Sequence, residues 1–90
     1  MAKLANSLAF VANAQATVVW GRELTDSEKT ALANAKISII QNGAQCDVGN
    51  LDSETLTSTV LFSTTAAADS YAAVAQGFSP APTSATVQAV

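Results

Sequence analysis

A chain of 90 residues with a net charge of −3, one cysteine and no histidine makes one small domain that has neither an internal disulfide nor a structural zinc site available to it. Its four basic residues, Lys3, Arg22, Lys29 and Lys36, are scattered, so nucleic acid is not an expected partner; nor is a membrane, because no run of about 18 apolar residues exists. Only 12% of residues are charged while 49% are apolar, with nineteen alanines, and a surface with so little charge repulsion suits association with copies of itself or with a larger protein assembly.

Residues 1–15 are expected to form an N-terminal arm or edge strand. Leu4, Leu8 and Val11 recur with helical spacing, whereas Leu8, Phe10 and Ala12 alternate as in a strand, and neither pattern decides the conformation. Lys3 followed by a moderately apolar stretch and Ala14-Gln15-Ala16 imitates a secretory leader, but Asn6, Ser7 and Asn13 interrupt the apolar run. The segment is therefore taken as part of the fold, and secretion is not expected. Residues 16–90 then form a single α+β domain.

Ala16 to Trp20 is β-branched and aromatic and ends at Gly21, which predicts a strand with Trp20 as a core or interface anchor. Thr25-Asp26-Ser27-Glu28 is a capping box: Thr25 at the N-cap and Glu28 three residues on each satisfy a backbone N–H that the helix leaves free. The helix it opens carries Leu32, Ala35, Ile39 and Ile40 on an apolar stripe and stops at Asn42-Gly43. Ala44 to Val48 is a short strand candidate, and Gly49 to Glu54 is read as a turn. The acidic residues Asp47, Asp52 and Glu54 gather here, but without the oxygen-ligand spacing of a calcium loop.

From Thr55 to Phe62 the chain alternates Leu56, Ser58, Val60 and Phe62 with Thr55, Thr57, Thr59 and Leu61, predicting a strand with one apolar and one threonine-rich face. Ser63, Thr64 or Thr65 caps a second helix whose core stripe is assigned to Ala67, Tyr71, Val74 and Phe78. Gly77 is expected in a left-handed stop, with Pro80 and Pro82 preventing continuation, and Ser84 to Val90 returns as a strand.

The resulting order, β-α-β-β-α-β, resembles a ferredoxin-like split sandwich: a four-stranded antiparallel sheet with two helices on one face. The resemblance is to a fold and not to a family. Right-handed crossovers place both helices on the same side, so the opposite sheet face must be polar or covered.

No motif specifies a reaction. Histidine is absent, and Glu23 with Asp26 or Asp52 with Glu54 are paired only by closeness in sequence. Cys46 has no histidine or sequence-adjacent lysine to stabilise a thiolate and reads as a small apolar residue. Gly21, Gly43, Gly49 and Gly77 are isolated and form no phosphate cradle. No catalytic, metal-binding or cofactor-binding residue is assigned, no cofactor is expected, and the chain is not read as an enzyme.

The function expected is that of a structural or assembly subunit, homo-oligomeric or part of a larger assembly. A small virion protein, such as a phage capsid accessory or tail component, or a cytoplasmic building block would fit. The interface candidates are Leu8, Phe10, Trp20, Thr55, Thr57 and Thr59. One alternative is a small-molecule-binding protein or small enzyme of dimeric ferredoxin-like type, with a cavity between helix and sheet near Trp20, Phe62 and Tyr71. A further alternative is an inhibitor or regulator of a partner protein.

Overall fold

A computed structural model describes residues 10–90. The elements follow the order β1 (Ala14–Val19), α1 (Asp26–Gln41), β2 (Asn50–Asp52), β3 (Thr57–Phe62), α2 (Thr65–Gln76) and β4 (Ser84–Ala89). The sheet has four strands in the order β2-β3-β1-β4, every pair antiparallel. This is the ferredoxin-like α+β arrangement expected from the element order. It arises because each helix carries the chain past one strand position: β3 then returns between β2 and β1, and β4 pairs with the free edge of β1.

Alternation settles which side of the sheet the helices cover. Ala14, Ala16 and Val18 of β1 are fully buried, as are Val60 and Phe62 of β3 to within 2% exposure, while the residues between them are half-buried. These buried positions pack with Leu32 and Ile39 of α1 and with Ala67, Ala68, Tyr71 and Ala75 of α2. On the crowded side, Tyr71 and Phe62 meet at 5.4 Å between ring centroids, and Trp20 stacks on Phe78 at 5.5 Å.

The helix termini behave as the local signals require. Thr25 Oγ1 accepts from Glu28 N at 3.2 Å and Glu28 Oε1 accepts from Thr25 N at 2.9 Å, completing the capping box. At the other end, Ala44 N donates to Ile39 O and Gly43 N to Ile40 O with Gly43 at φ 101°, the paired bonds of a Schellman stop. Thr64 is the residue that caps α2, its Oγ1 accepting from Ala67 N at 3.1 Å.

Four expectations need correction. The strand at Ala44–Val48 is reduced to a single bridge from Cys46 to Phe62, and pairing resumes only at Asn50, inside the segment read as a turn. The interruption has a cause: Asp47 Oδ1 takes the Leu61 N–H at 3.0 Å in place of a backbone carbonyl, and Gly49 at φ 85° redirects the chain. A Cβ on Gly49 would stand 2.8 Å from Val60 Cγ2, so the chain passes too close to β3 for a side chain there. The turn itself is displaced to residues 53–56, where Asp52 Oδ1 accepts from the Glu54 and Thr55 amides.

The second correction concerns α2. Val74 is exposed, and the buried face is Ala67, Ala68, Tyr71, Ala72 and Ala75, of which Ala67 and Tyr71 were expected. Small side chains let the helix backbone approach the strands, so the alanines rather than the valine are enclosed. Similarly, Ile40 of α1 is 52% exposed, because it sits 100° around the helix from Ile39. Finally, Gly77 is right-handed (φ −80°, ψ −5°), and α2 ends in tightened bonds from Gly77 N to Val74 O and from Phe78 N to Ala75 O.

One ion pair ties these parts together. Arg22 makes a bidentate pair with Glu28, Nη1 to Oε1 at 2.8 Å and Nη2 to Oε2 at 2.9 Å, and Nη2 also donates to Pro80 O. The Arg22 hydrogen bonds, followed by the Thr25 backbone N–H, pull the Glu28 carboxyl down to about 2 from an ordinary 4.5. A pKa depressed in the folded state contributes stability that is present above the unfolded value and lost as pH falls through the folded one. Thermal unfolding should therefore show an acid-side decline between about pH 4.5 and 2 that is shallower in Glu28→Gln; identical acid limbs in both proteins would contradict the linkage.

Candidate functional site

The face of the sheet turned away from the helices is the first candidate. Register brings Asn50, Thr59, Thr17 and Thr86 into one row across all four strands, and Asp52, Thr57, Val19 and Ser84 into a second. Leu61, Gln15 and Gln88 form a third row over three strands. Gln15 Nε2 donates to Thr17 Oγ1 at 3.1 Å along β1. Asp52 is the only charged residue in these rows, and no described helix packs on this side.

The sequence-derived interface residues divide sharply. Thr57 and Thr59 lie on this face, half-buried as part of an inner strand. Thr55 does not: it belongs to the turn before β3, where its amide bonds to Asp52. Trp20 is also removed from the interface set. It is 2% exposed on the helix side, with Nε1 donating to Ser58 Oγ at 3.1 Å and the Arg22 guanidinium 6.0 Å from the ring centroid. Phe10 is half-buried in a bend ahead of β1, and Leu8 lies outside the described residues. Thr17 and Thr86 complete the threonine row but were not singled out by pattern, since their strands carry no run of alternating threonines; only pairing register puts them beside Thr59.

Among the described residues, two recesses adjoin the helices, and a third of about 290 Å³ lies beside Arg22, Glu23 and Leu56. The larger, about 640 Å³, runs between the helices and is lined by small and apolar side chains including Ala35, Ile39, Ala67 and Val74. It holds no charged side chain, and its polar side chains are those of Ser38, Asn42, Thr64 and Ser70. The smaller, about 260 Å³, lies between α1 and the β2–β3 edge; Lys29, Lys36, Asn50, Ser58 and Tyr71 contribute polar atoms to walls of Leu24, Leu32, Val48, Leu51 and Val60. Of the residues expected around a helix–sheet cavity, Tyr71 lines this recess, whereas Trp20 and Phe62 line neither and are enclosed in the core.

Tyr71 and Ser58 distinguish this cleft. Tyr71 is 2% exposed and Ser58 8%, and Ser58 Oγ accepts from Trp20 Nε1; among the described residues the one buried side-chain polar atom without a partner is Arg22 Nε. Burial, with smaller contributions from Cys46 and Asp47, pushes the Tyr71 hydroxyl up to about 12, so it is a neutral donor at physiological pH. Lys36 Nζ donates to Val48 O at 2.7 Å at the rim.

Among the described residues, the carboxylate pairs and Cys46 do not converge on a common site. The Asp52 and Glu54 pair is absorbed into the 53–56 turn, and Glu23 with Asp26 flanks the α1 cap. Burial raises the Cys46 thiol above its ordinary value, which suppresses the thiolate. Among the described residues no cluster of His, Cys, Asp or Glu could hold a metal ion, and no helix is long and apolar enough to cross a membrane. The class defined by this architecture is a ferredoxin-like α+β sandwich with an open polar sheet face. No family model, curated protein or solved structure matches the chain.

Proposed function

We propose that the protein is an assembly subunit whose interface is the open sheet face, and that the occupant of that face is a second copy of the chain. The observation that carries this reading is the three-row pattern of Thr, Gln, Asn and Ser around Val19 and Leu61, interrupted by a single charge at the Asp52 corner. Hydroxyl and amide groups both donate and accept, so such a face is complementary to itself under a two-fold axis. The low overall charge leaves little repulsion between copies.

Size sets the expected strength. Four strands about 4.8 Å apart and six residues at about 3.3 Å span roughly 19 by 20 Å, about 380 Å² on each partner, which is the size of a weak, transient contact rather than a stable one. Weak self-association, with a Kd of about 0.1 mM, is the corresponding expectation, in a cytoplasmic assembly or in a virus particle as a phage capsid accessory or tail component.

Sedimentation velocity tests the reading. The parent chain should reach twice its protomer mass, and Thr17→Lys, placing an ammonium at the centre of the middle row, should remain monomeric with an unchanged circular-dichroism spectrum. Thr30→Lys, on the exposed side of α1, supplies the same charge away from the face and should still dimerise. A parent that stays monomeric up to about 1 mM, where association is worth only about 4 kcal/mol, would overturn the proposal.

A further inference from the structure

The two edges of the sheet are unlike. β2 is three residues long, ends in Asp52 and follows Gly49, whose φ of 85° turns the chain. Short length, a charge and a break in the strand are the means by which an edge is kept from pairing with another chain. The opposite edge, β4, has none of them: Ser84–Ala89 runs for six residues without a charge, a proline or a positive φ.

Register fixes which backbone groups β4 leaves over. Opposite residues on antiparallel strands alternate between bonded and non-bonded pairs. Val90 N donates to Asn13 O, so the bonded pairs along β4 are Gln88 with Gln15, Thr86 with Thr17 and Ser84 with Val19. Ala85, Val87 and Ala89 therefore turn their N–H and C=O groups away from β1, where no described strand receives them. We propose that this edge pairs antiparallel with β4 of a second copy, continuing the sheet across a two-fold axis at Val87.

Symmetry in the sequence chooses the occupant. Ala85, Val87 and Ala89 read the same in both directions. With Val87 opposite its own counterpart and Ala85 opposite Ala89 of the second copy, all three N–H and all three C=O groups on each side are bonded. On the open face the same register sets Thr86 opposite Gln88, a hydroxyl against an amide. No Asp, Glu, Lys or Arg occurs from Gly77 to Val90, so no side-chain charge repels the copy. The edge is a second contact, separate from the sheet face. A strand six residues long and about 10 Å deep covers roughly 200 Å², about half the face, so the edge is the weaker of the two, with a Kd of about 1 to 10 mM. In dilute solution only the face pairs, and Thr17→Lys is monomeric there. Where copies are concentrated, the edge joins one face-paired dimer to the next and carries the assembly beyond two.

Val87→Pro isolates the edge. The Val87 N–H points away from β1, so proline there breaks no bond of the described sheet and removes the central donor of the new pair. Ala89→Pro, at an exposed position near the strand end, removes an outer donor with less demand on the core. Amide spectra of the full ¹⁵N-labelled chain carrying Thr17→Lys, recorded from about 0.1 to 4 mM, should show concentration-dependent shifts largest at Ala85, Val87 and Ala89. Adding Val87→Pro or Ala89→Pro should weaken that pairing at least about tenfold. Val87→Pro alone should still reach twice the protomer mass in sedimentation, because the face is untouched. Invariant β4 amides up to about 4 mM in folded Thr17→Lys overturn the edge and leave the face standing, whereas β4 shifts in a parent that does not form the face dimer support the edge alone. Undiminished shifts in both folded proline variants overturn the pairing, as does slow deuterium exchange of the Ala85, Val87 and Ala89 amides in dilute Thr17→Lys, which would mean the edge is already covered within one chain.

Discussion

Trp20→Ala is expected to destabilise the protein by about 3 to 5 kcal/mol, the usual cost of removing a large enclosed aromatic side chain. Trp20 is the bulkiest side chain in the core, lying just beyond the end of β1 with Phe78 stacked on it at 5.5 Å and the Arg22 guanidinium against its ring. Its removal leaves a cavity between β1 and the chain following α2, and it strips Ser58 Oγ of the only donor it has among the described residues. Small domains fold with a margin of only about 5 to 15 kcal/mol, so this loss takes a large share of the total. Urea denaturation followed by far-ultraviolet circular dichroism measures it, since the only tryptophan is the one removed. Trp20→Phe keeps the stack and loses the hydrogen bond, and should fall between the two. An Ala variant with the parent's midpoint would show that the ring is not enclosed.

Ala68→Leu should cost about 1 to 3 kcal/mol, while Val74→Ala should change stability by less than about 0.5 kcal/mol. The pair is informative because residue type alone predicts the reverse. Ala68 has no exposed surface, α2 packs on β1 and β4, and Ala68 and Ala75 belong to the core cluster with Ala14, Ala16 and Val18. A leucine there has no volume to enter unless the helix lifts from the sheet, which would also separate Phe78 from Trp20. Val74 faces the groove between the helices and is 37% exposed, so truncation removes few contacts. Thermal melts of the two variants suffice, and a larger loss from Val74→Ala would place the valine, not the alanine, against the sheet.

Misassignment of that helix face shows where periodicity runs out. Ala67, Tyr71 and Val74 do share one side of α2, and the true face is rotated from them by less than one residue, onto Ala67, Ala68, Tyr71, Ala72 and Ala75. Alanine occupies so many positions that apolar pattern alone cannot fix the rotation; the distance at which the helix docks does. The threonine face was similarly half legible. Thr57 and Thr59 followed from alternation within β3, whereas Thr55 was lost to a turn organised by the Asp52 side chain. Ser58 was less legible still. It reads as one more small residue on the apolar side of a strand, and only the Trp20 bond gives it a role.

By itself the sequence determined what is settled within a few residues: the capping box at Thr25 and Glu28, the left-handed stop at Gly43, a cap for α2 within Ser63 to Thr65 and the two-residue rhythm of β3. From these the element order and the ferredoxin-like sandwich followed, because short-range hydrogen bonds and side-chain periodicity depend on immediate neighbours alone. The tertiary structure decided the start of β2, the face of α2, the burial of Trp20 and the row joining Asn50, Thr59, Thr17 and Thr86. Each of these depends on strand register or helix docking, set by contacts between residues distant in the chain, where a shift of one residue would turn every strand side chain to the other face.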